Sequence, residues 1–217
     1  MNSKLLILNL GVDSENTSLA FTQKWINDIS LNYDAVDVLT MKVGSTYQLN
    51  ENVNLFFIND QNTNYTKIYQ LRKLNKLTRK LIKNNNYTHC FAHMAPMQHL
   101  VAKFYLIQKN IKTTLWFTHS GPKFGIKWLI LWFSSLLANN IVTASEHSFP
   151  FRFKKVKYIG HGINFDNFFI ERKTFQLKNI SILSRVSKSK NIENTIDNII
   201  KCKSFENINI DVIGGTL

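Results

Sequence analysis

The sequence predicts an α/β fold on a parallel sheet. Short apolar runs alternate with longer helix-periodic segments over roughly 160 residues, the pattern of strand–helix–strand units. The first run, "KLLILNL" (4–10), suits a strand covered on both faces. Hydrophobic content of 44%, with 16 Phe and 7 Tyr, supplies a packed core and excludes wholesale disorder.

Gly11 breaks the first run, and "DSENTS" (13–18) offers several helix N-caps. Phe21, Trp25, Ile26 and Ile29 then fall on one helical face. "AVDVLTM" (35–41) and "VNLFFI" (53–58) read as strands. Ile68, Leu71, Leu74, Leu77 and Leu81 predict a helix over 66–83 with one apolar side. "THCFAH" (88–93) is a strand, and Pro96 suits the first turn of the next helix. "KTTLWF" (112–117), "NIVTA" (140–144) and "KVKYIG" (155–160) are further strands. An apolar helix over 124–138 separates the first two of these.

Residues 161–179 have no clean period. "ISILS" (180–184) restarts the alternation, and Ile192, Ile196, Ile199 and Ile200 mark a helix over 191–201. "INIDVI" (208–213) is the next strand, closed by Gly214 and Gly215. The expected organisation is a first domain over 1–165, a linker over 166–177 and an incomplete second domain over 178–217. Three elements cannot cover both faces of a sheet, so this second piece should not be stable alone. The sequence shows no solenoid repeat.

Cys90 and Cys202 are far apart and have no partner spacing, which argues against a disulfide framework or a zinc site and fits a reducing cytoplasm. The N-terminus reads as a buried strand, because its apolar core is too short for a signal peptide. The net charge of +13 is uneven: residues 61–145 carry 12 Lys and Arg and no Asp or Glu. Such a field attracts phosphates on lipids, nucleic acids or nucleotides. No nucleic-acid recognition motif accompanies it, and the aromatics sit inside apolar segments, so a nucleic-acid partner is not expected.

Ligands of open parallel sheets bind at the carboxyl ends of the strands. Gly11, His93, His119, Ser145, Gly160 to Gly162, and Arg185 with Lys190 lie at such ends. Gly11 allows a backbone to approach a ligand, and a tight turn explains it equally. It is not a dinucleotide fingerprint, since the further glycines are missing. His93 and His119 fit structural hydrogen bonding as well as chemistry. The six His have no metal-ligand spacing. Arg185 and Lys190 precede a helix whose N-terminus also favours anions, and together they can hold a diphosphate.

The ordered segments "WFTHSG" (116–121), "NNIVTASEHS" (139–148), "KVKYIGHGINFDNF" (155–168) and "ISILSRVSKSKNIENTIDNI" (180–199) resemble the family 4 glycosyltransferases of the GT-B fold. In that family one strand ends in a histidine and a later one in Thr-Ala-Ser. A "hGID…F" turn leaves the N-terminal domain, and the C-terminal domain opens with a strand, "GR" and a Lys five residues beyond the Arg. "LNLGVDSENTSLAFTQKWINDIS" (8–30) and "FAHMAPMQHLVAKF" (91–104) resemble a branch acting in cell-surface polysaccharide and lipid-linked glycan assembly. Ser184 and Asn191 stand where the family has glycines, and the family's glutamate pair falls beyond residue 217.

The resemblance implies a GT-B architecture, with a Rossmann-like acceptor domain followed by the start of a nucleotide-sugar-binding domain. It implies retaining transfer of a sugar from a nucleotide-diphosphate sugar to a glycan or lipid-linked acceptor, with no metal or other cofactor. Arg185 and Lys190 would clamp the departing diphosphate, where fixed cations favour the transition state over the ground state. His119 would line the donor sugar, and Gly11 and Gly214 would border the donor. Asp13, Asn16 and His93 would lie near the acceptor. The chain as given is expected to transfer little sugar without the glutamate pair. Its alternative is a non-catalytic subunit that binds acceptor and membrane and relies on a separate donor-binding chain.

Arg72, Lys76, Arg79, Lys80 and Lys83 share a face of the helix over 66–83. With no carboxylate nearby in sequence, that face suits anionic headgroups, placing the protein peripherally on the inner face of the membrane. "WLILWF" (128–133), with Leu136 and Leu137, is too short to span a bilayer. It reads as an inter-helix core segment or, with Lys123 and Lys127 at its head, as a shallow membrane contact.

Overall fold

A computed structural model describes residues 3–16, 19–46, 49–60, 63, 65–162, 179–184, 186–202 and 208–214. The chain divides into two compact units, residues 1–162 and 163–217. The expected linker over 166–177 lies outside the described residues.

The first unit holds seven strands: β1 (Lys4–Val12), β2 (Ala35–Val43), β3 (Val53–Asn59), β4 (His89–His93), β5 (Lys112–Trp116), β6 (Asn140–Thr143) and β7 (Val156–Tyr158). All pair in parallel, in the order β3-β2-β1-β4-β5-β6-β7. The connections are α1 (Phe21–Ser30), α2 (Lys67–Asn84), α3 (Pro96–Gln108) and α4 (Ile126–Leu137), while residues 44–52 join β2 to β3 with no helix among the described residues.

Alternation along the strands divides the core. Leu5 and Ile7 of β1, with Val36 and Val38 of β2, pack with Ile26 of α1 on one face. Leu6, Leu8, Leu39, Ala92, Leu115 and Ile141 meet Leu74, Leu81, Ala102, Leu106 and Leu131 of α2, α3 and α4 on the other. Three helices therefore cover one face, and α1 covers part of its opposite.

Three local expectations are corrected. β1 does not stop at Gly11, which pairs with Lys42 inside the strand. The N-cap of α1 is Ala20, with no side-chain capping bond, and the Asp13 carboxylate instead accepts the Glu15 N–H at 3.1 Å. In α2 the buried positions are Leu74, Thr78, Leu81 and Ile82, while Ile68 and Leu71 are exposed. Apolar spacing alone thus placed the buried stripe too early.

The core reading of "WLILWF" is also corrected. Leu131 is the one fully buried residue of that run, and α4 turns Ser134 and Ser135 inward beside it. Leu129 and Phe133 are exposed. A helix apolar on every side gives periodicity no means of choosing its buried face.

The second unit contains β8 (Asn179–Leu183), α5 (Ile192–Lys201) and β9 (Asn209–Ile213), with β8 and β9 paired in parallel. No described residue of this unit is fully buried, as a two-stranded sheet with one helix dictates. Asn191 sits in the left-handed region at φ 51°. Asn tolerates that region better than most residues, so the turn needs no glycine. The Asn194 amide and the Thr195 hydroxyl both bond back to Asn191.

Candidate functional site

The strand order reverses between β1 and β4, and parallel sheets open a ligand crevice at such a point. Asn9 of β1 and His93 of β4 are register partners there. Asn9 is almost fully buried; its amide nitrogen donates to the Gly11 carbonyl at 2.8 Å, and its oxygen accepts the Leu10 N–H at 2.8 Å. These bonds fix the amide with its oxygen toward the His93 Nδ1, 3.4 Å away. His93 therefore carries its proton on Nδ1 and leaves Nε2 as an acceptor. Gln98, in the first turn of α3, donates to the Asn9 carbonyl at 3.5 Å.

Aromatic rings surround His93. The Trp25 ring centre is 4.7 Å away, Phe21 is 6.0 Å away and Trp116 is 6.3 Å away. The His161 ring stands 6.2 Å from that of Trp116. Gly160, at φ 74°, makes the turn from β7 to His161, a conformation costly for any side-chain-bearing residue. Burial among these rings lowers the His93 pKa to about 4, so the imidazole is neutral near pH 7. It can accept a hydroxyl hydrogen bond but supplies no cation for phosphate.

A buried carboxylate lies at the other end of the sheet. Lys4 Nζ pairs with buried Asp37 at 2.9 Å, and Asp37 also accepts from the Tyr87 hydroxyl and the Asn54 amide. Burial, followed by the bond to Asp37, raises the Tyr87 pKa. The contacts of His93 itself are thus aromatic rings and an uncharged, directional hydrogen bond.

The other expected residues are spread around this crevice. The space beside Gly11 is filled by Leu19, whose side chain lies 2.6 Å from where a Cβ would stand. Gly11 thus lies inside β1 beneath the Leu19 side chain, a position that neither the ligand-approach nor the tight-turn reading predicts. Asp13 covers Gly44, and Ser14 and Gln23 both bond to the Ser45 carbonyl, tying the β1–α1 loop to the end of β2. Asn16 accepts the Leu19 and Ala20 N–H groups through its carbonyl. His119 is exposed, with its ring edge-on to Phe117 at 6.3 Å. Arg72, Lys76, Arg79, Lys80 and Lys83 are all exposed on α2. In the second unit, Lys190 and Gly214 are exposed, and Arg185 lies outside the described residues. No three His, Cys, Asp or Glu residues gather as a metal site among the described residues.

No family model matches the chain, and no curated protein matches it. Solved structures do. Alr3699/HepE of Anabaena, in complex with UDP, superposes with a TM-score of 0.64 at 14% identity, covering 99% of this chain and 61% of HepE. The fold is of the GT-B type.

A glycosyltransferase of Rickettsia africae superposes at 0.56 with 12% identity, over 99% of this chain and 69% of its own. The UDP-GlcNAc 2-epimerase of Methanocaldococcus jannaschii gives 0.55 with 10% identity, over 96% and 65%. The chain thus spans about three fifths of HepE. In GT-B terms, the first unit is one Rossmann-like domain with its switch point between β1 and β4.

Of the residues around the switch point, the sequence pointed to His93 and the 160–162 turn, and not to Asn9, Trp25, Trp116 or Gln98. Asn9 carried a signal, a lone amide inside the apolar run of an interior strand. A buried polar side chain there needs partners. The tryptophans carried none, because their spacing also fits a core.

Proposed function

We propose that the protein is a glycosyltransferase that takes a sugar from a nucleotide-diphosphate sugar and delivers it to a glycan or lipid-linked acceptor of the cell surface. The observation carrying this reading is neutral His93 at the GT-B switch point, oriented by Asn9 and walled by Trp25 and Trp116. The apolar face of a sugar packs on aromatic rings, as other amphipathic groups do. An imidazole acceptor orients one hydroxyl. UDP bound to HepE supports the choice of a nucleotide donor.

Arg185 and Lys190 meet the charge that grows on the leaving diphosphate, and Gly214 borders the donor. His119 faces the donor sugar. Asp13 and Asn16, in the loop beside the crevice, contact the acceptor. Transfer proceeds with retention and without a metal. The protein works at the cytoplasmic face of an anionic membrane, drawn there by the basic face of α2.

A second reading is a non-catalytic subunit whose donor site lies on another chain. The absence of any fully buried described residue in the second unit favours it. One experiment separates the two: incubation of the chain, alone and co-expressed with its neighbouring reading frames, with labelled UDP-sugars, membrane lipid extract and EDTA. Metal-independent label transfer that His93→Phe abolishes supports the transferase. Transfer that appears only with a second chain supports the subunit. Because the chain as given is expected to transfer little, it is also joined to a complete C-terminal half of the GT-B fold; no transfer in any of these cases, or transfer indifferent to His93, overturns the proposal.

A further inference from the structure

Helix α4 turns its small residues inward and its large apolar residues outward. It packs on α3 through Leu131, Ser134 and Ser135, and Ser134 Oγ meets the buried His99 Nδ1 at 2.8 Å. Ile126, Leu129, Phe133, Leu136 and Leu137 are between 40% and 70% exposed. Counted from Ile126, they recur at i+3, i+7, i+10 and i+11, which is a single stripe. Phe124, just before the helix, is 89% exposed. On neighbouring α3, Phe104 and Ile107 are 65% and 58% exposed. Single exposed apolar residues are ordinary, but a row across two adjacent helices marks a contact surface.

The charges around this row define its occupant. Lys123 and Lys127 stand exposed at the head of α4. On the other side of α3, a groove of about 430 Å³ places Arg72 beside Leu71, Leu100 and Phe104. Exposed Lys76, Arg79, Lys80 and Lys83 continue along α2. No acid interrupts residues 61–145. A second copy would set this basic field against itself. An anionic bilayer instead offers phosphates at the rim and hydrocarbon below. At 12 residues, α4 is roughly 18 Å long, short of the ~30 Å hydrocarbon core.

We propose that the outer face of α3 and α4, led by Phe124, inserts into the headgroup–acyl boundary of an anionic bilayer. Arg72 and its neighbours hold headgroup phosphates beside it. This rests on the peripheral reading above and adds an inserted element to it. Electrostatic attraction brings the protein to the surface, and the apolar face gives a component that salt does not release.

The test is co-sedimentation of the full chain with phosphatidylglycerol/phosphatidylcholine vesicles, at low salt and at about 1 M salt, where the Debye length falls to ~3 Å. Wild type should pellet in both, and bromine-labelled acyl chains should quench its tryptophan emission. Leu129→Ser/Phe133→Ser should abolish quenching and lower high-salt partitioning at least about tenfold, with an unchanged melting temperature, because both residues are exposed. Complete release of wild type by salt, or double-variant partitioning and quenching equal to wild type, overturns insertion. Concentration-dependent dimerisation of wild type that the double variant abolishes also overturns it, in favour of a second copy. Arg72→Glu/Lys76→Glu/Lys80→Glu tests the electrostatic reading separately: unchanged low-salt binding sinks that reading, while high-salt partitioning still reports on insertion.

Discussion

The sulfur of Met94 accepts the backbone N–H of Thr118 at 3.3 Å, joining the end of β4 to the loop after β5. Met94 holds φ 53°, and its own N–H is fixed by the Trp116 carbonyl at 2.9 Å. An uncommon backbone conformation with a bond at each end braces the loop that carries His119. Met94→Leu keeps the volume and removes the acceptor. It should speed amide hydrogen exchange at Thr118 severalfold and cost about 1 kcal/mol or less, since sulfur is a weak acceptor. Unchanged exchange at Thr118 would mean that the sulfur contact does not brace the loop.

The neutral histidines make stability depend on pH. The fold holds His93 near pKa 4 and His99 near 3, against an ordinary 6.5, in each case mainly by burial. The unfolded chain therefore binds more protons between the folded and unfolded values. Stability is fully present above about pH 6.5 and is lost as pH falls toward 4 and then 3. At about 1.4 kcal/mol per pKa unit for each group, the two together should cost on the order of 8 kcal/mol by pH 3. Denaturant titrations at stepped pH should show it, and His99→Gln should flatten the slope. An equal slope in the variant would rule out His99 as a contributor.

Asp37 should be the most sensitive charged residue in the protein. Removing its carboxylate leaves the buried Tyr87 hydroxyl without its acceptor and Lys4 with the Asn85 amide oxygen alone. Asp37→Ala should cost about 3 kcal/mol or more, as breaking buried pairs does. Asp37→Asn should cost less, because an amide oxygen still accepts. A fall of under ~1 kcal/mol for the alanine variant would mean that solvent satisfies the pair.

Catalysis should separate by residue. Trp116→Leu should raise the acceptor KM by roughly tenfold, about 1.4 kcal/mol, with little change in kcat. Arg185→Ala and Lys190→Ala should instead depress kcat under the proposed role of these cations on the departing diphosphate. Steady-state kinetics in the active assembly distinguish the two patterns. A kcat-only effect of Trp116→Leu would contradict its place in the acceptor wall.

Strand and helix positions were legible because each element carried its own period. Every described strand lies within about two residues of its expected place, the usual uncertainty of such boundaries. What failed was orientation. In α4, apolar residues occupy all sides, so sequence could not reveal that Ser134 and Ser135 face inward. At Gly11, the sequence permitted an opening that Leu19 fills. His93 was legible as a strand-end histidine, but its tautomer depends on Asn9, 84 residues away. That relationship exists only once β1 and β4 lie side by side.

The position of β1 between β2 and β4 has a consequence on the ribosome. The strand is complete at Val12 and its first neighbour at Val43, yet its second neighbour ends at His93. At ≈ 5–20 residues per second, the 50 residues from Val43 to His93 take roughly 3 to 10 seconds to synthesise. During that interval the most apolar strand of the nascent chain has an open edge of unpaired amides and carbonyls, a template for a neighbouring chain on the same polysome. Slowed elongation before codon 93 should therefore raise aggregation of newly made protein, while slowing after that point should not.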